Sequence, residues 1–222
     1  MEPKEFHWPF SLVYSSLTRF LGPGYRDLAS RMKIPDAARS ALDLGGGDGR
    51  LAIALSDTYP QLKRIVTVDI SEDMTRRAHR RIAQAGLSST ISAECRDMHA
   101  LSYEAGRFDA VVSFGALHHS RQPDVFLAEA YRVLGSEGWL CLIDGYGRPP
   151  FRAIRRAVDR FGGSFVAAAI YWCGSKDCLP RDHIARVVST ASLPGIEATF
   201  DDILVTISGV RKRAIEQLKD AH

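Results

Sequence analysis

Short apolar runs alternate with longer amphipathic stretches from about residue 40 of the chain onward. The runs are rich in β-branched and apolar residues, as strands that are covered on both faces require. In order they are SALDL, RIVTVDI, TISAECR, FDAVVSFG and GWLCLID. Because the stretches between them have helical spacing, the alternation predicts βαβ units, a parallel sheet and an α/β fold.

Three crossover helices are expected between these strands. The first follows a glycine-rich loop directly, and the second has Ser71 at its start as an N-cap. In the second helix Met74, Ala78 and Ile82 recur every four residues, so this stripe is expected to face the sheet. The third is expected to end in a glycine-bearing turn at residues 135–138, with the fifth strand beginning after the turn.

The pattern changes on either side of this region. The N-terminal part has helical pieces interrupted at GPG, whereas RDHIARVVSTASL indicates a helix and GIEATFDDILVTISGVRKR indicates two strands joined near Asp201 and Asp202. A chain of 222 residues suits one α/β domain. We therefore expect a single domain with a helical cap at 1–38, a ligand-binding core at 39–145, an insertion at 146–180, and a last helix with a strand pair at 181–222.

Charge and composition narrow the range of partners. The formal net charge is +3, far below the basic field of a dedicated nucleic-acid binder, so no nucleic-acid partner is expected. Four cysteines in 222 residues are too few for a disulfide framework and indicate reduced thiols. The segment MEPKEFHWPF lacks an apolar signal stretch, and the longest apolar run, FVAAAIYWC, is too short to cross a bilayer. These features predict a cytoplasmic protein without a transmembrane segment.

An acidic residue and a group of glycines follow at the end of the first strand. In LDLGGGDG the acid is Asp43, and the glycines are Gly45, Gly46, Gly47 and Gly49. A glycine-rich turn between a strand and a helix lets a ligand lie against bare backbone. No lysine follows in the GK[ST] pattern, which excludes a P-loop for triphosphates.

Two ligand classes remain open for this loop. Gly47, Gly49 and Ala52 satisfy G-x-G-x-x-G/A, and Asp69 lies about twenty residues further on, where a ribose-binding acid belongs in dinucleotide domains. This match keeps an NAD(P)-dependent oxidoreductase as an alternative. The presence of Asp43 is evidence against that alternative, because a carboxylate beside the glycines would repel a pyrophosphate and favour a ligand that carries positive charge.

Five stretches in order resemble class I S-adenosylmethionine-dependent methyltransferases, in particular the small-molecule branch that includes the ubiquinone and menaquinone biosynthesis enzymes. They are LDLGGGDG, VTVDIS, CRDMHAL, FDAVVSFGALHH and EAYRVLGSEGWLCLID, between about residues 40 and 145. The resemblance implies a Rossmann-like, doubly wound, mostly parallel seven-stranded sheet with helices on both faces, an antiparallel C-terminal strand and an N-terminal helical cap. It also implies S-adenosyl-L-methionine as cofactor and S-adenosyl-L-homocysteine as product.

The resemblance assigns roles to residues around the glycine loop. The backbone from Gly45 to Gly49 would pass under the methionine and ribose, and Asp43 would hold the ammonium group through water. Asp69 would bind both ribose hydroxyls, and Ile70 would pack on the adenine. Each acid alone is equally well explained as a helix cap or loop residue, but acids at the carboxyl ends of parallel strands favour a shared ligand.

Two later stretches complete the cofactor site that the resemblance implies. Asp97 would accept a hydrogen bond from the adenine amino group while the Met98 backbone reads the ring. Asp97 could instead cap the short turn DMHAL. Ser113 and Phe114, which leave the fourth strand, would flank the methionine and the methyl group to be transferred.

His118 and His119 are the candidates for a general base, in that order. The resemblance puts GALHH on the acceptor side of the cofactor, and histidine titrates near neutrality. Many enzymes of this type need no base, and either histidine could instead pack or cap the next helix. No metal site is expected, since adjacent histidines point apart on a regular strand.

The acceptor is expected to be a small, partly apolar or aromatic molecule. The resemblance places its pocket in residues 6–30 and about 146–180, the substrate-side insertion, where aromatic side chains are frequent: Trp8, Phe10, Tyr14, Phe20, Tyr25, Tyr146, Phe161, Phe165, Tyr171 and Trp172. A solvated helix face is expected from Arg76, Arg77, Arg80 and Arg81. A module that binds cofactor without turnover is a further alternative, and the oligomeric state stays open, a homodimer included.

Overall fold

The computed structural model describes residues 24–147, 152, 178–201 and 203–212. Its strands, numbered along the chain, are β1 (Ser40–Leu44), β2 (Arg64–Asp69), β3 (Ile91–Cys95), β4 (Phe108–Phe114), β5 (Leu134–Gly145), β6 (Ile196–Phe200) and β7 (Leu204–Val210). Its helices are α1 (Gly24–Arg31), α2 (Arg50–Thr58), α3 (Glu72–Gln84), α4 (Pro123–Val133) and α5 (Arg181–Thr190), and a 3₁₀ turn covers Leu117–His119.

One seven-stranded sheet contains these strands in the order β3-β2-β1-β4-β5-β7-β6. The pairs within β1 to β5 are parallel, whereas β7 runs antiparallel to both β5 and β6. The strand order reverses between β1 and β4, and ligands of such sheets bind at the carboxyl ends of the strands beside this point. The sheet confirms the predicted fold class, including its antiparallel C-terminal strand.

Helices cover both faces of the sheet because its central strands are apolar on both sides. The helices α1, α2 and α3 pack on one face, through residues such as Leu28, Leu55 and Ile82. The helices α4 and α5 pack on the other face, with Phe126 and Ile184 fully buried there. The two packed layers hold the strand ends rigidly, so the loops at the carboxyl edge start from fixed positions.

The fifth strand begins earlier than the sequence predicts. Leu134 follows α4 directly and pairs with Phe108, and the next pairing joins Trp139 to Ala110. The glycine segment at 135–138 therefore forms an irregularity inside β5 rather than a turn before it. Helix and strand meet without a separate loop.

The apolar stripe of α3 is also displaced from the prediction. Thr75, Ala78 and Ile82 are the buried residues of this helix, and Met74 is only half-buried. The expected N-cap is confirmed, since the Ser71 hydroxyl accepts a hydrogen bond from the Met74 backbone N–H at 3.4 Å.

Part of the expected acceptor pocket lies outside the described residues, including all of its aromatic candidates except Tyr25 and Tyr146. Tyr146 is buried, and its ring packs edge-on against Phe200 with 5.8 Å between centroids, which makes it a core residue. The helical pieces expected before residue 24 also lie outside the described ranges. Within those ranges, no helix has the length and apolar character that a membrane span needs.

Candidate active site

The carboxyl ends of β1, β2 and β4 bring candidate residues to one edge of the sheet. Asp43 lies next to the end of β1, Asp69 ends β2 and Phe114 ends β4. Because β1 pairs with both of the other strands, these three ends are neighbours. The adjacent strand β3 ends at Cys95 and leads into the loop that carries Asp97.

Asp43 is fully buried, with 0% of its surface exposed. Its Oδ2 accepts a 2.9 Å hydrogen bond from the hydroxyl of Thr67, which is its register partner on β2. Its Oδ1 has no hydrogen-bond partner within the part of the chain that the structure describes. Burial raises the pKa of Asp43 to about 7, although the Thr67 hydrogen bond lowers it, and the charge of Asp69 adds to the rise. A ligand cation would satisfy the unpartnered oxygen.

The first half of the glycine loop lies too close to Asp43 and its neighbours to carry side chains. A Cβ atom on Gly46 would lie 1.8 Å from Thr67 Oγ1 and 2.4 Å from Asp43 Oδ2. A Cβ atom on Gly45, where φ is +67°, would lie 2.4 Å from the Cβ of Ala116. Glycine at these positions lets the loop pass directly over the buried acid.

The second half of the loop is open at Gly47 and packed at Gly49. A Cβ atom on Gly47 would meet nothing within 4 Å, whereas one on Gly49 would lie 3.1 Å from the Cβ of Ala78 in α3. Both glycines have positive φ, at +54° and +80°. The Gly47 N–H donates to Asp69 Oδ2 at 3.0 Å. The open backbone at Gly47 therefore offers a surface on which a ligand can lie.

Asp69 is held by backbone donors from two loops. Besides the bond from Gly47, its Oδ1 accepts from the Ser71 N–H at 2.9 Å. Burial raises the pKa of Asp69, although these two hydrogen bonds lower it. Each oxygen keeps a further lone pair that can accept from a ligand hydroxyl. Ile70 follows, and 60% of this apolar residue is exposed beside the acid.

The remaining cofactor candidates differ in the polar groups and the surface that they could offer to a ligand. Asp97 Oδ1 accepts from the His99 backbone N–H at 2.8 Å and contacts the His99 ring at 2.7 Å. Met98 is half-buried against the core. The buried Ser113 hydroxyl donates to the last carbonyl of β1 at 2.8 Å, so its hydrogen is already used. Phe114 is half-buried against the opposite core layer.

A histidine and a buried acid face each other after β4 and at the end of β5. His118 Nδ1 lies 2.7 Å from Asp144 Oδ1, and the His118 backbone N–H donates to Oδ2 at 3.1 Å. The Gly145 N–H donates to Oδ1 at 2.6 Å. Asp144 is only 2% exposed. Asp144 is not among the residues predicted from the sequence, although its place near the end of the fifth strand is a usable signal.

The expectation that the two histidines point apart is wrong. After Gly115, with φ at +69°, the chain forms a 3₁₀ turn instead of continuing as a strand. The rings of His118 and His119 consequently lie with their centroids 3.9 Å apart. Among the described residues no group of three or more His, Cys, Asp or Glu side chains could hold a metal ion. The three described cysteines are free thiols.

Arg81 of α3 fixes the glycine loop from outside. Its guanidinium donates to the Asp48 carboxylate at 2.8 Å and to the Asp48 carbonyl at 3.2 Å, and Arg50 pairs with the same carboxylate at 3.1 Å. Of the four arginines predicted to form a solvated face of this helix, Arg76 and Arg80 are exposed, whereas Arg77 and Arg81 are half-buried.

The sequence is similar to known methyltransferases over its central part. A family profile described as a methyltransferase domain matches residues 41–138. The ubiquinone/menaquinone biosynthesis C-methyltransferase UbiE of Dinoroseobacter shibae is 30% identical over 143 residues, which are 64% of this chain and 56% of that protein. A demethylmenaquinone methyltransferase of Porphyromonas gingivalis is 34% identical over 126 residues, 56% of this chain and 51% of that protein. The chain thus spans about half the length of these relatives.

The fold is shared with solved structures. A proposed S-adenosyl-L-methionine-dependent methyltransferase from Methanococcus maripaludis matches with a TM-score of 0.77 and 21% identity, over 96% of this chain and 97% of that one. This likeness establishes the fold alone, and the sequence matches add a similarity to methyltransferases over the central part of the chain. The residues present fit S-adenosyl-L-methionine, because Asp43 Oδ1 has no donor among the described residues and the loop is open at Gly47. Residues 41–138 are thus similar to a methyltransferase domain, and the fold is one that an S-adenosyl-L-methionine-dependent methyltransferase structure shares.

Proposed function

We propose that this protein transfers the methyl group of S-adenosyl-L-methionine to a small-molecule acceptor. The observation that carries the proposal is Asp43 Oδ1, a fully buried carboxylate oxygen without a described partner beside the glycine loop. A phosphate would be repelled at this position, whereas the ammonium group of the cofactor would supply the missing donor.

The residues of the glycine edge would bind the cofactor from its ammonium group to its adenine. Asp43 would hold the ammonium group, and the backbone from Gly45 to Gly49 would lie under the methionine and ribose. Asp69 has lone pairs for the ribose hydroxyls even while it accepts from two backbone N–H groups. Ile70 offers exposed apolar surface to the adenine.

Four further residues complete the proposed binding surface. Asp97 and the Met98 backbone would recognise the adenine, and Ser113 and Phe114 would border the methionine end. When the cofactor is bound, its sulfonium makes the methyl group electrophilic. The chain then has to align the acceptor with this methyl group and exclude water.

His118 is the proposed general base, and Asp144 is its positioning residue. With its proton on Nδ1, the His118 ring donates to Asp144 at 2.7 Å and keeps the lone pair of Nε2. The backbone N–H of His118 donates to the same carboxylate, so the acid fixes both the ring and the turn that carries it. Such a ring can take a proton from an acceptor hydroxyl, thiol or amine during transfer. His119 is the second candidate.

The acceptor is proposed to be small and partly apolar or aromatic. The relative from Dinoroseobacter shibae is named for ubiquinone and menaquinone biosynthesis, and the relative from Porphyromonas gingivalis is named for methylation of demethylmenaquinone. Quinones are small molecules with an apolar ring, so these names support an acceptor of this kind. The methyl group would go to an oxygen, nitrogen, sulfur or carbon atom of this molecule. The cytoplasmic location expected from the sequence stays a prediction.

Transfer of a labelled methyl group tests this proposal. Purified protein would be incubated with methyl-tritiated S-adenosyl-L-methionine and a panel of phenols, quinols, amines and thiols, and label in the extracted acceptor would be counted. We expect labelling of at least one class, reduced on the order of 100-fold by His118→Gln. His79→Gln, on the exposed side of α3, is the matched control and should retain activity. Cofactor binding without transfer to any acceptor would favour the module without turnover.

The nicotinamide alternative is not supported by the two relatives described above, which are both named methyltransferases. Its main argument is the spacing of Gly47, Gly49 and Ala52, which class I methyltransferases also accommodate. Against it stands the burial of Asp43 directly under the loop, where a pyrophosphate would meet a carboxylate.

A further inference from the structure

His99 joins two loops at the carboxyl edge of the sheet. It lies in the loop after β3, and its two ring nitrogens have different partners. Nδ1 lies 2.7 Å from Asp97 Oδ1, and Nε2 lies 2.7 Å from Ser120 Oγ. Ser120 is buried and ends the 3₁₀ turn that carries the histidine pair. One ring therefore bridges the loop on the adenine side and the loop on the acceptor side.

The hydrogen bonds around this ring have a defined direction. Ionised Asp97 can only accept, so the proton of a neutral His99 ring belongs on Nδ1 and Nε2 accepts from the Ser120 hydroxyl. The Ser120 oxygen in turn accepts from the Gln122 N–H at 3.2 Å. Phe126 of α4 packs edge-on against the ring, with 6.5 Å between centroids. Polar contacts at both nitrogens and this aromatic contact set the orientation of the ring.

The arrangement leaves one oxygen of Asp97 for a ligand. Both contacts from His99, the backbone N–H at 2.8 Å and the ring at 2.7 Å, fall on Oδ1. The Asp97 side chain is 47% exposed, so Oδ2 is accessible from outside. Burial raises the pKa of Asp97, but the hydrogen bonds from the backbone and ring of His99 outweigh it and hold the pKa below its usual value. Asp97 is thus an ionised acceptor near neutral pH.

We infer that His99 is a positioning residue for adenine recognition, which orients Asp97 so that Oδ2 accepts from the exocyclic amino group of the cofactor. The inference rests on the proposed function, in which Asp97 contacts the adenine. Without the ring contact, only the His99 backbone N–H would hold the half-exposed Asp97 side chain, so the ligand would have to order it further and affinity would fall accordingly. Ser120 anchors the ring from its other side.

Two substitutions separate the functions of the ring nitrogens. The amide nitrogen of asparagine lies near the position of Nδ1, so His99→Asn keeps a donor for Asp97 and loses the contact with Ser120. The amide of glutamine reaches the position of Nε2, so His99→Gln keeps a partner for Ser120 and leaves Asp97 without the ring donor. His79→Gln, exposed on α3, serves as the control.

The test compares two ligands that differ at the adenine edge. S-inosylhomocysteine carries a carbonyl where S-adenosylhomocysteine carries the amino group. In the wild-type protein and in His79→Gln, we expect S-adenosylhomocysteine to bind at least about 10-fold more tightly, because an ionised acceptor would otherwise face a carbonyl. The ratio of the two affinities in His99→Asn should differ from the wild-type ratio by less than about 3-fold. In His99→Gln, S-adenosylhomocysteine should bind only about 3-fold more tightly than S-inosylhomocysteine, or less. Thermal unfolding without ligand checks that the variants are folded.

Two results would overturn the inference. One is an affinity ratio in His99→Gln that equals the wild-type ratio. The other is an equal loss of the affinity ratio in both His99 variants, which would indicate a general structural role. If His99→Gln does not fold, Ser120→Ala provides the test, with an expected loss of about 3-fold in the ratio. An unchanged ratio in Ser120→Ala would then contradict the inference. Absence of S-adenosylhomocysteine binding in the wild-type protein would overturn the proposed function as well, so the two failures are distinguishable.

Discussion

Asp43 in β1 and Asp144 in β5 are buried acids at the same edge of the sheet, but their surroundings differ. They are 0% and 2% exposed. Asp144 accepts from the ring and backbone of His118 and from the Gly145 N–H, so both of its oxygens are bonded within the chain. Asp43 accepts one bond, from Thr67, and its Oδ1 has none within the described residues.

On this difference rests the proposal that Asp144 positions its neighbours and that Asp43 binds a ligand. A buried carboxylate with both oxygens bonded stabilises the groups that donate to it. A buried carboxylate with an unpartnered oxygen destabilises the folded chain until a donor arrives, and its burial raises the pKa of Asp43 to about 7. The hydrogen bonds of each acid therefore indicate its role more clearly than its burial does.

Among the predicted changes, Asp144→Asn should have the largest effect, and the quantity that it lowers should be turnover. Asparagine has one acceptor oxygen instead of two, so a donor of His118 loses its partner. Turnover with an acceptor from the labelled panel should fall on the order of 100-fold, while affinity for S-adenosylhomocysteine changes by less than about 3-fold. Single-turnover kinetics and titration calorimetry measure the two quantities. Equal losses in both would show that Asp144 supports the fold generally.

Alanine at two neighbouring glycines should distinguish the buried side of the loop from its open side. Gly46→Ala places a Cβ atom 1.8 Å from the Thr67 hydroxyl, so we expect Tm to fall by about 6 °C or more. Gly47→Ala meets nothing within 4 Å but has φ at +54°, so we expect a fall of about 3 °C. Its affinity for S-adenosylhomocysteine should fall about 10-fold, because the methyl group occupies ligand space. A larger Tm loss for Gly47→Ala would contradict this assignment.

Cofactor affinity should depend on pH through Asp43. Only the ionised form attracts an ammonium group, and a pKa of about 7 means that this form dominates only at higher pH. Affinity for S-adenosylhomocysteine should therefore fall about 10-fold between about pH 8 and pH 6. Calorimetry across this range measures it, with Asp43→Asn as the control that should bind weakly at every pH. A wild-type affinity independent of pH would contradict the ionisation of Asp43 on binding.

The smallest expected effect is a gain in stability from Asp43→Asn without ligand. The pKa of the folded state, about 7, lies above the ordinary value of 3.8. The folded state therefore keeps its proton where the unfolded state has lost it, and the free energy of unfolding falls as pH rises from about 4 to 7. At pH 8 the variant should unfold roughly 3 °C higher than wild type, and the difference should shrink toward acid pH. A lower Tm for the variant at pH 8 would contradict the cost assigned to Asp43.

The sheet follows largely from local sequence. The strand β1 has the limits of the run SALDL, and β2, β3 and β4 end within one residue of the predicted limits, because each run is short, apolar and bounded by polar or turn residues. The start of β5 cannot be predicted from local sequence, because the pairing of Leu134 with Phe108 depends on the neighbouring strand. A cluster of glycines looks alike in sequence whether it forms a turn or a bulge.

The residues of the candidate site are less completely predictable from the sequence than the strands are. Asp43 and Asp69 could be singled out because the carboxyl end of a parallel strand is itself the signal. Asp144 and His99 contact His118 and Ser120, which lie 26 and 21 positions away in the chain, and no periodic sequence pattern indicates such contacts. The close, tilted arrangement of the His118 and His119 rings also depends on a 3₁₀ turn that a strand pattern does not predict.

Titration calorimetry of the purified protein with S-adenosylhomocysteine and, separately, with NAD tests most directly whether the buried acid under the glycine loop receives a cation. We expect binding of S-adenosylhomocysteine alone, weakened at least about 10-fold by Asp43→Asn and by Asp69→Ala. Binding of NAD in place of S-adenosylhomocysteine would contradict the assignment of Asp43 to an ammonium group, and the proposed methyl transfer with it.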